Sequence, residues 1–275
     1  KLAGKQMREF METTKEVPIL ATLKEAIIKG AEVLVLGIAP SGGKIPESWN
    51  PVIEEALDNG LSIVNGLHDV LNERWSQHIK NPLKQWIWDV RIPLFTPEIA
   101  TGKASQLQNK RVLFIGTDMA VGKMTAGLEL YSWLLEHKKK VGFVATGQIG
   151  ITIVGKGIPL DAFKVDHACG AVEQVVLDQA DKDIILIEGQ GSLLHPGSTA
   201  TLPLMRGSCP THLILCLRAE IKTLRSPEHI KIPDLNDFIA LNESLASVFG
   251  TFPRSRVIGI AANTSMLSEK DAKAY

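Results

Sequence analysis

Residues 111–125 read RVLFIGTDMAVGKMT, and the fold turns on how this stretch is read. RVLFIG, apolar after its first residue, has the pattern of a strand buried on both faces. From Gly122 the sequence GKMTAGLELYSWLLEHKK carries apolar residues at helical spacing. Strand, glycine-bearing loop, helix is the context of a phosphate-binding loop. The first turn of a helix has N–H groups without intrahelical acceptors and a positive dipole end, and both favour an anion. The spacing departs from the usual pattern. Five residues, not four, separate Gly116 from Gly122-Lys123, and Met124 stands where a hydroxyl normally binds Mg²⁺. A thioether is a poor magnesium ligand. Gly116, Thr117, Asp118, Val121, Gly122, Lys123, Met124 and Thr125 are therefore expected to hold a diphosphate. A metal at this site would fall to Asp118, Glu188, Thr125 or water.

The same alternation extends both ways from this stretch. Strands are expected at 111–116, 141–146, 183–188, 212–217 and 256–262, with helices at about 122–138, 169–181 and 234–248. That order implies a three-layer α/β/α domain with a mostly parallel sheet. On the N-terminal side, strands are expected at 18–22, 32–38, 61–65 and 85–90, with helices at 22–30 and 50–59, the pattern of a Rossmann-like domain. Residues 94–110 lose the periodicity and carry Pro, Gly and polar residues, so the domains divide as 1–95 and 96–275.

Ligands in open α/β sheets sit at the carboxyl ends of the strands, and the remaining candidates fall there. Glu188 ends DIILIE and is followed by Gly-Gln-Gly, which places Gln190 beside it. Gln148 follows the strand at 141–146. His195 lies in a Gly/Ser/Pro-rich loop and is a candidate proton acceptor together with Glu188. Asn263 ends RVIGIAAN, where an amide can read a purine edge or make a turn. In the first domain, Ser41, Gly42 and Gly43 offer amides to an anion, and Asn65 and His68 follow the next strand.

Composition narrows the partners. Lys plus Arg equal 30 and Asp plus Glu equal 30, and the longest basic run is Lys138-Lys139-Lys140, so neither nucleic acid nor an anionic membrane is an expected partner. Apolar runs such as 31–39 are too short to span a bilayer. Three cysteines, none in a CxxC pair, fit a reducing, cytoplasmic setting and read as buried small hydrophobes. No signal peptide is evident. The sequence begins at Lys1 without a methionine and ends in the helix-like SEKDAKAY, so the full protein is expected to extend at both ends.

GTDMAVGK, EGQG and GIAAN together resemble the nucleotide site of dethiobiotin synthetase, save that Met124 stands where that family has Thr. A wider resemblance covers almost the whole chain. VLGIAPSGGKIP, IVNGLHD, IWDVR, GTDMAVGKMT, VGFVATGQIG, GAVE and IEGQGSLLHPG are similar to a two-domain bacterial family, Rossmann-like then P-loop, whose assigned members are D-glutamate N-acetyltransferases. The Lys-x-Thr ending belongs to that family's own pattern.

The resemblance implies acetyl-CoA at the phosphate loop, with Asn263 on the adenine. It implies His195 or Glu188 as the base, with oxyanion donors near Gly189–Gly191. Residues 41–44, Asn65, His68, Gln148 and Gln190 would receive a small amino-acid substrate across an interdomain cleft. Enzymes with such domains often associate, and a homo-oligomer is open on that ground alone. The first alternative is a Mg-ATP-dependent ligase or kinase acting on a carboxylate. Two weaker ones are a nucleotide-switched binding protein and an NAD-binding N-terminal domain. The switched proteins' signature lysine is replaced here by Thr117, and no GxGxxG opens a helix in the N-terminal domain.

Overall fold

In a computed structural model, residues 2–11, 13–38, 40, 42–198 and 200–275 are described. The chain forms two units, Lys1–Ile92 and Pro93–Tyr275. The first holds a parallel sheet in the order β1 (Val33–Leu36), β2 (Ser62–Asn65), β3 (Ile87–Asp89). Helices α1 (Leu23–Ile28), α2 (Asn50–Asp58) and α3 (Leu71–Trp75) alternate with the strands. Central β2 is buried throughout, its polar Ser62 and Asn65 included. Its Ile63 packs with Ile53, Leu57, Leu71, Trp75 and Ile87.

The strand expected at 18–22 does not form. Pro18 makes only an isolated antiparallel bridge to Gln6, and a proline cannot donate to a ladder. Thr22 instead caps α1, its hydroxyl accepting the Glu25 N–H at 3.3 Å.

The second unit contains β4 (Lys110–Gly116), β5 (Val141–Val144), β6 (Ile184–Ile187), β7 (His212–Arg218) and β8 (Arg256–Asn263). All pairings are parallel, in the order β5-β6-β4-β7-β8. Strand β4 is central, and connections leave it toward both edges, so its carboxyl end opens on the crevice where such sheets bind ligands. Alternation along β4 separates the layers. Leu113 and Ile115 join a core that includes Val172 and Val176 of α6 (Val165–Leu177), Leu204 and Met205 of α7 (Thr201–Ser208) and Phe238 of α8 (Leu235–Ser247). Phe114 faces the other way. A Cβ on Gly127 of α4 (Lys123–Glu136) would lie 3.4 Å from its ring, so α4 covers that face.

Three short helices, α3, α5 (Gln148–Val154) and α7, are not among those expected from the sequence. Pro203 lies in the first turn of α7, where no N–H is needed, so a residue that reads as a breaker is accommodated. Helix α6 begins at Val165, four residues before the expected start. The last element, α9 (Glu269–Ala274), forms where SEKDAKAY suggests it.

Arg111 ties the base of β4 to its surroundings. It is fully buried, and its Nε donates to the Ser208 and Cys209 carbonyls at 3.0 Å. Its Nη1 donates to the Leu107 and Asn109 carbonyls at 3.0 Å. The guanidinium thus satisfies carbonyls at the end of α7 and in the segment entering β4, and burial lowers its pKa. Arg111→Met leaves those carbonyls without donors. It is expected to destabilise the protein by roughly 3 kcal/mol in denaturant unfolding.

Candidate functional site

The loop from Gly116 to Gly122 wraps around one side chain. Lys123 opens α4, yet its ammonium is buried and donates to the Asp118 carbonyl at 2.8 Å. Gly122 makes the turn possible with a φ of 102°, a conformation that side chains avoid. Gly189 leaves room for the lysine stem, since a Cβ there would come 2.9 Å from Lys123 Cδ. Burial lowers the Lys123 pKa from 10.5 to about 8, opposed by Cys216, Asp118 and Glu188. The first intrahelical bond of α4 runs from the Ala126 N–H to the Gly122 carbonyl. By helix geometry, the N–H groups of Lys123, Met124 and Thr125 have no intrahelical acceptor.

Glu188, just past β6, faces the same space. Its Oε2 accepts the Thr146 N–H at 2.8 Å and the Gly147 N–H at 3.1 Å. Its Oε1 lies 3.5 Å from Gln190 Nε2. Burial raises its pKa, and the two amides and Lys123 pull the other way. Gly147 and Gly150 pack against the Glu188 side chain, and a Cβ on Gly150 would collide with its carboxylate.

A cavity of ≈ 420 Å³ joins these groups, lined by Gly122, Lys123, Met124, Thr125, Gln148, Glu188 and Gln190, among others. Three strand-end segments, 119–125, 147–149 and 188–191, therefore meet at one cavity. Thr117, Asp118 and Val121 line a second cavity on the β7 side of the loop.

Other candidates have different roles. His195 is buried, and both ring nitrogens are engaged: Nε2 with the Ser226 carbonyl at 2.7 Å, Nδ1 accepting the Gly197 N–H at 3.0 Å. With its lone pair occupied, His195 is not placed to take a proton, and it braces its loop instead. Asp118 is turned from the cradle. One oxygen accepts the Met119 N–H at 2.6 Å and the other the Arg225 N–H at 2.8 Å, so it braces the loop rather than presenting a metal ligand. Among the described residues, no group of three His, Cys, Asp or Glu is arranged to hold a metal ion. Asn263 Oδ1 accepts the Ser265 N–H at 3.1 Å, a turn arrangement.

In the first unit, the Asn65 amide is used up: Nδ2 donates to the Asp69 carbonyl and to Asp89 Oδ1, and Oδ1 accepts the Leu67 N–H. Asp89, its register partner on β3, also accepts the N–H groups of Leu71 and Asn72 and so holds the start of α3. Asn65 is structural rather than a substrate donor. Gly42 and Gly43 have positive φ in a turn closed by the Gly43 N–H on the Pro40 carbonyl, and the Gly43 carbonyl accepts the His68 N–H. Ser41 lies outside the described residues.

The cysteines are unpaired, with Cys209 and Cys216 buried. No helix of the described residues is long and apolar enough to cross a membrane. Arg218 and Arg225, which line the second cavity, escaped the sequence-based reading. LRAEIKTLRSPEHIKIP carries no motif, and only the fold brings these arginines to the loop.

Both parts of the chain match known domain models. Residues 98–275 match the P-loop domain of DUF1611, a domain of unknown function, and residues 1–93 match its Rossmann-like N-terminal domain. Two curated relatives carry the name D-glutamate N-acetyltransferase. One, from a Pseudoalteromonas species, is 39% identical over 89% of this chain and 73% of its own. The other, from Tritonibacter scottomollicae, is 36% identical over 92% of this chain and 76% of its own. A crystal structure of a DUF1611 family protein from Anabaena variabilis superposes with a TM-score of 0.94 at 44% identity, covering 99% of this chain and 80% of that one.

The buried lysine should weaken the ligand-free fold. Its folded pKa lies below its unfolded one, so the penalty is fully present below about pH 8 and vanishes above 10.5. Lys123→Met is expected to raise unfolding free energy at pH 7 by roughly 1–3 kcal/mol. That advantage should shrink as the denaturation series is carried toward pH 10.

Proposed function

The chain belongs to the DUF1611 family, and we propose that it transfers an acetyl group from acetyl-CoA to the amine of D-glutamate or a similar small acidic amino acid. The names of the two curated relatives support the reaction class. The observation that carries the reading is the single cavity joining a phosphate loop that has Met124 in place of the magnesium hydroxyl to the buried Glu188.

The residues present fit a coenzyme diphosphate. Three amides without intrahelical acceptors and the Lys123 ammonium meet the phosphate charge, and Gly122 and Gly189 clear the approach. A bound anion would also relieve the cost of the buried lysine charge. Acetyl-CoA, when bound, supplies an acyl group activated as a thioester: the amine forms the amide bond, the C–S bond breaks and the thiol departs.

An ammonium has no lone pair, so the acceptor must first lose a proton. Glu188 is suited to take it. Burial makes the carboxylate more basic than a surface one, Oε2 is fixed by the Thr146 and Gly147 amides, and Oε1 is held only by the long contact to Gln190. The proton is finally balanced on the departing thiol. Gln148 and Gln190 line the same space and can orient the reacting amine. Ligation driven by Mg-ATP would instead require Thr125 and Glu188 to assemble a magnesium site beside Met124.

Thermal unfolding separates the two. Acetyl-CoA is expected to raise the midpoint of the wild type and not that of Lys123→Ala. A shift with Mg-ATP and none with acetyl-CoA would favour ligation. In the acetyltransferase assay, Glu188→Gln is expected to lower kcat by roughly 10²–10⁴-fold. Glu188 is ionised only above its raised pKa, so the wild-type rate should fall with decreasing pH before the ordinary carboxylate range is reached. A kcat unchanged by the substitution would remove Glu188 from proton transfer.

A further inference from the structure

The second cavity, ≈ 220 Å³, lies between the phosphate loop and the segment that follows β7. That segment doubles back: Thr223 bridges Lys231 in antiparallel fashion, the Leu224 N–H donates to the Ile230 carbonyl and the Ile232 N–H to the Lys222 carbonyl. Two bonds pin the resulting hairpin. The Arg225 N–H donates to Asp118 Oδ2 at 2.8 Å, and His195 Nε2 meets the Ser226 carbonyl at 2.7 Å. The wall facing the loop is thereby fixed.

We propose that this cavity is the acceptor pocket, built to receive a small amino acid bearing two carboxylates. The assignment rests on the acyl-transfer reading and adds to it a place and a charge pattern. Arg218 and Arg225 supply two guanidinium groups to the lining, and Glu228 supplies a carboxylate. An acidic amino acid carries two carboxylates to meet the two guanidinium groups.

The protein does not use these charges elsewhere. The Arg225 guanidinium and the Glu228 carboxylate have no hydrogen bond or ion pair among the described residues. Arg218 donates from Nη2 to the Ala120 carbonyl at 3.2 Å, but its Nε is buried without a partner. A buried donor left unpaired is costly and marks a position where a ligand acceptor is gained. Asp118 also lines the cavity, but both its oxygens already accept N–H groups. Ile221, Leu224 and Ile232 provide apolar wall for the methylenes between the charged ends.

Size and neighbourhood agree. The volume is below the ~300–1,000 Å³ of pockets that take drug-sized ligands, which suits a single amino acid better than a nucleoside. The Glu228 carboxylate would also repel a ribose phosphate. Met119 lines both this cavity and the one containing Glu188, so the two cavities meet at the phosphate loop.

Titration calorimetry with D-glutamate tests the pocket independently of turnover. Arg225→Ala keeps the backbone N–H that Asp118 needs, and an unchanged thermal midpoint would confirm its fold. It is expected to weaken D-glutamate binding about tenfold or more, with partial recovery in Arg225→Lys and no change for acetyl-CoA. D-glutamine, lacking the second carboxylate, should bind the wild type weakly and lose little in the variant. Equal D-glutamate affinity in wild type and Arg225→Ala would overturn the assignment. So would a variant that loses affinity for acetyl-CoA but not for dephospho-CoA, because the guanidinium would then serve the ribose phosphate. A wild type that binds D-glutamate through Arg225 without acetylating it would refute the reaction and leave the pocket standing.

Discussion

A positive charge held out of water organises this site. The Lys123 ammonium sits behind the phosphate loop and donates to a carbonyl of that same loop. Its desolvation must be offset locally, and the surroundings show how. Gly116, Gly122 and Gly189 are small where a Cβ would touch the lysine or distort its turn. Glu188 and Asp118 are near enough to favour the charged form. Strand order brings β6 and β7 to either side of β4, so both sides of the loop open onto strand-end segments that can carry chemistry.

Much of this was legible before any coordinates. Buried parallel strands announce themselves as runs rich in Val, Ile and Leu, and RVLFIG, LSIVN and DIILIE all contain strands. The convergence of Lys123, Gln148, Glu188 and Gln190 follows from one rule about strand ends. What stayed hidden was governed by tertiary context. Pro203 reads as a breaker but falls in the first turn of α7. The 18–22 stretch has strand-like residues but a proline where a ladder donor is needed. Arg218 and Arg225 belong to a motif only once the chain has folded back past β7.

Residue type was a poor guide to role. His195, Asp118 and Asn65 belong to the residue classes that do chemistry, and each spends its polar atoms on backbone groups of its own or a neighbouring loop, Asn65 adding one bond to the Asp89 carboxylate. The reason is general: loops at strand ends leave N–H and C=O groups that must be paired when buried, and short polar side chains are the cheapest partners. Asp89 shows the same logic, holding the first N–H groups of α3 from an adjacent strand. Glu188 stands apart because one of its oxygens is held only by a long side-chain contact.

The hairpin from Ile221 to Ile232 differs from the cradle in how freely it can change. Around Lys123 and Glu188, Gly147, Gly150 and Gly189 each touch a side chain or carbonyl that an added methyl would displace, so that half of the site resists substitution. On the hairpin, Leu224 is buried, while Arg225 and Glu228 are exposed and their side chains hold nothing in place. New side chains there carry little folding penalty. The proposed acceptor pocket can therefore change by exchanges on one hairpin face while the phosphate-loop cradle stays constant.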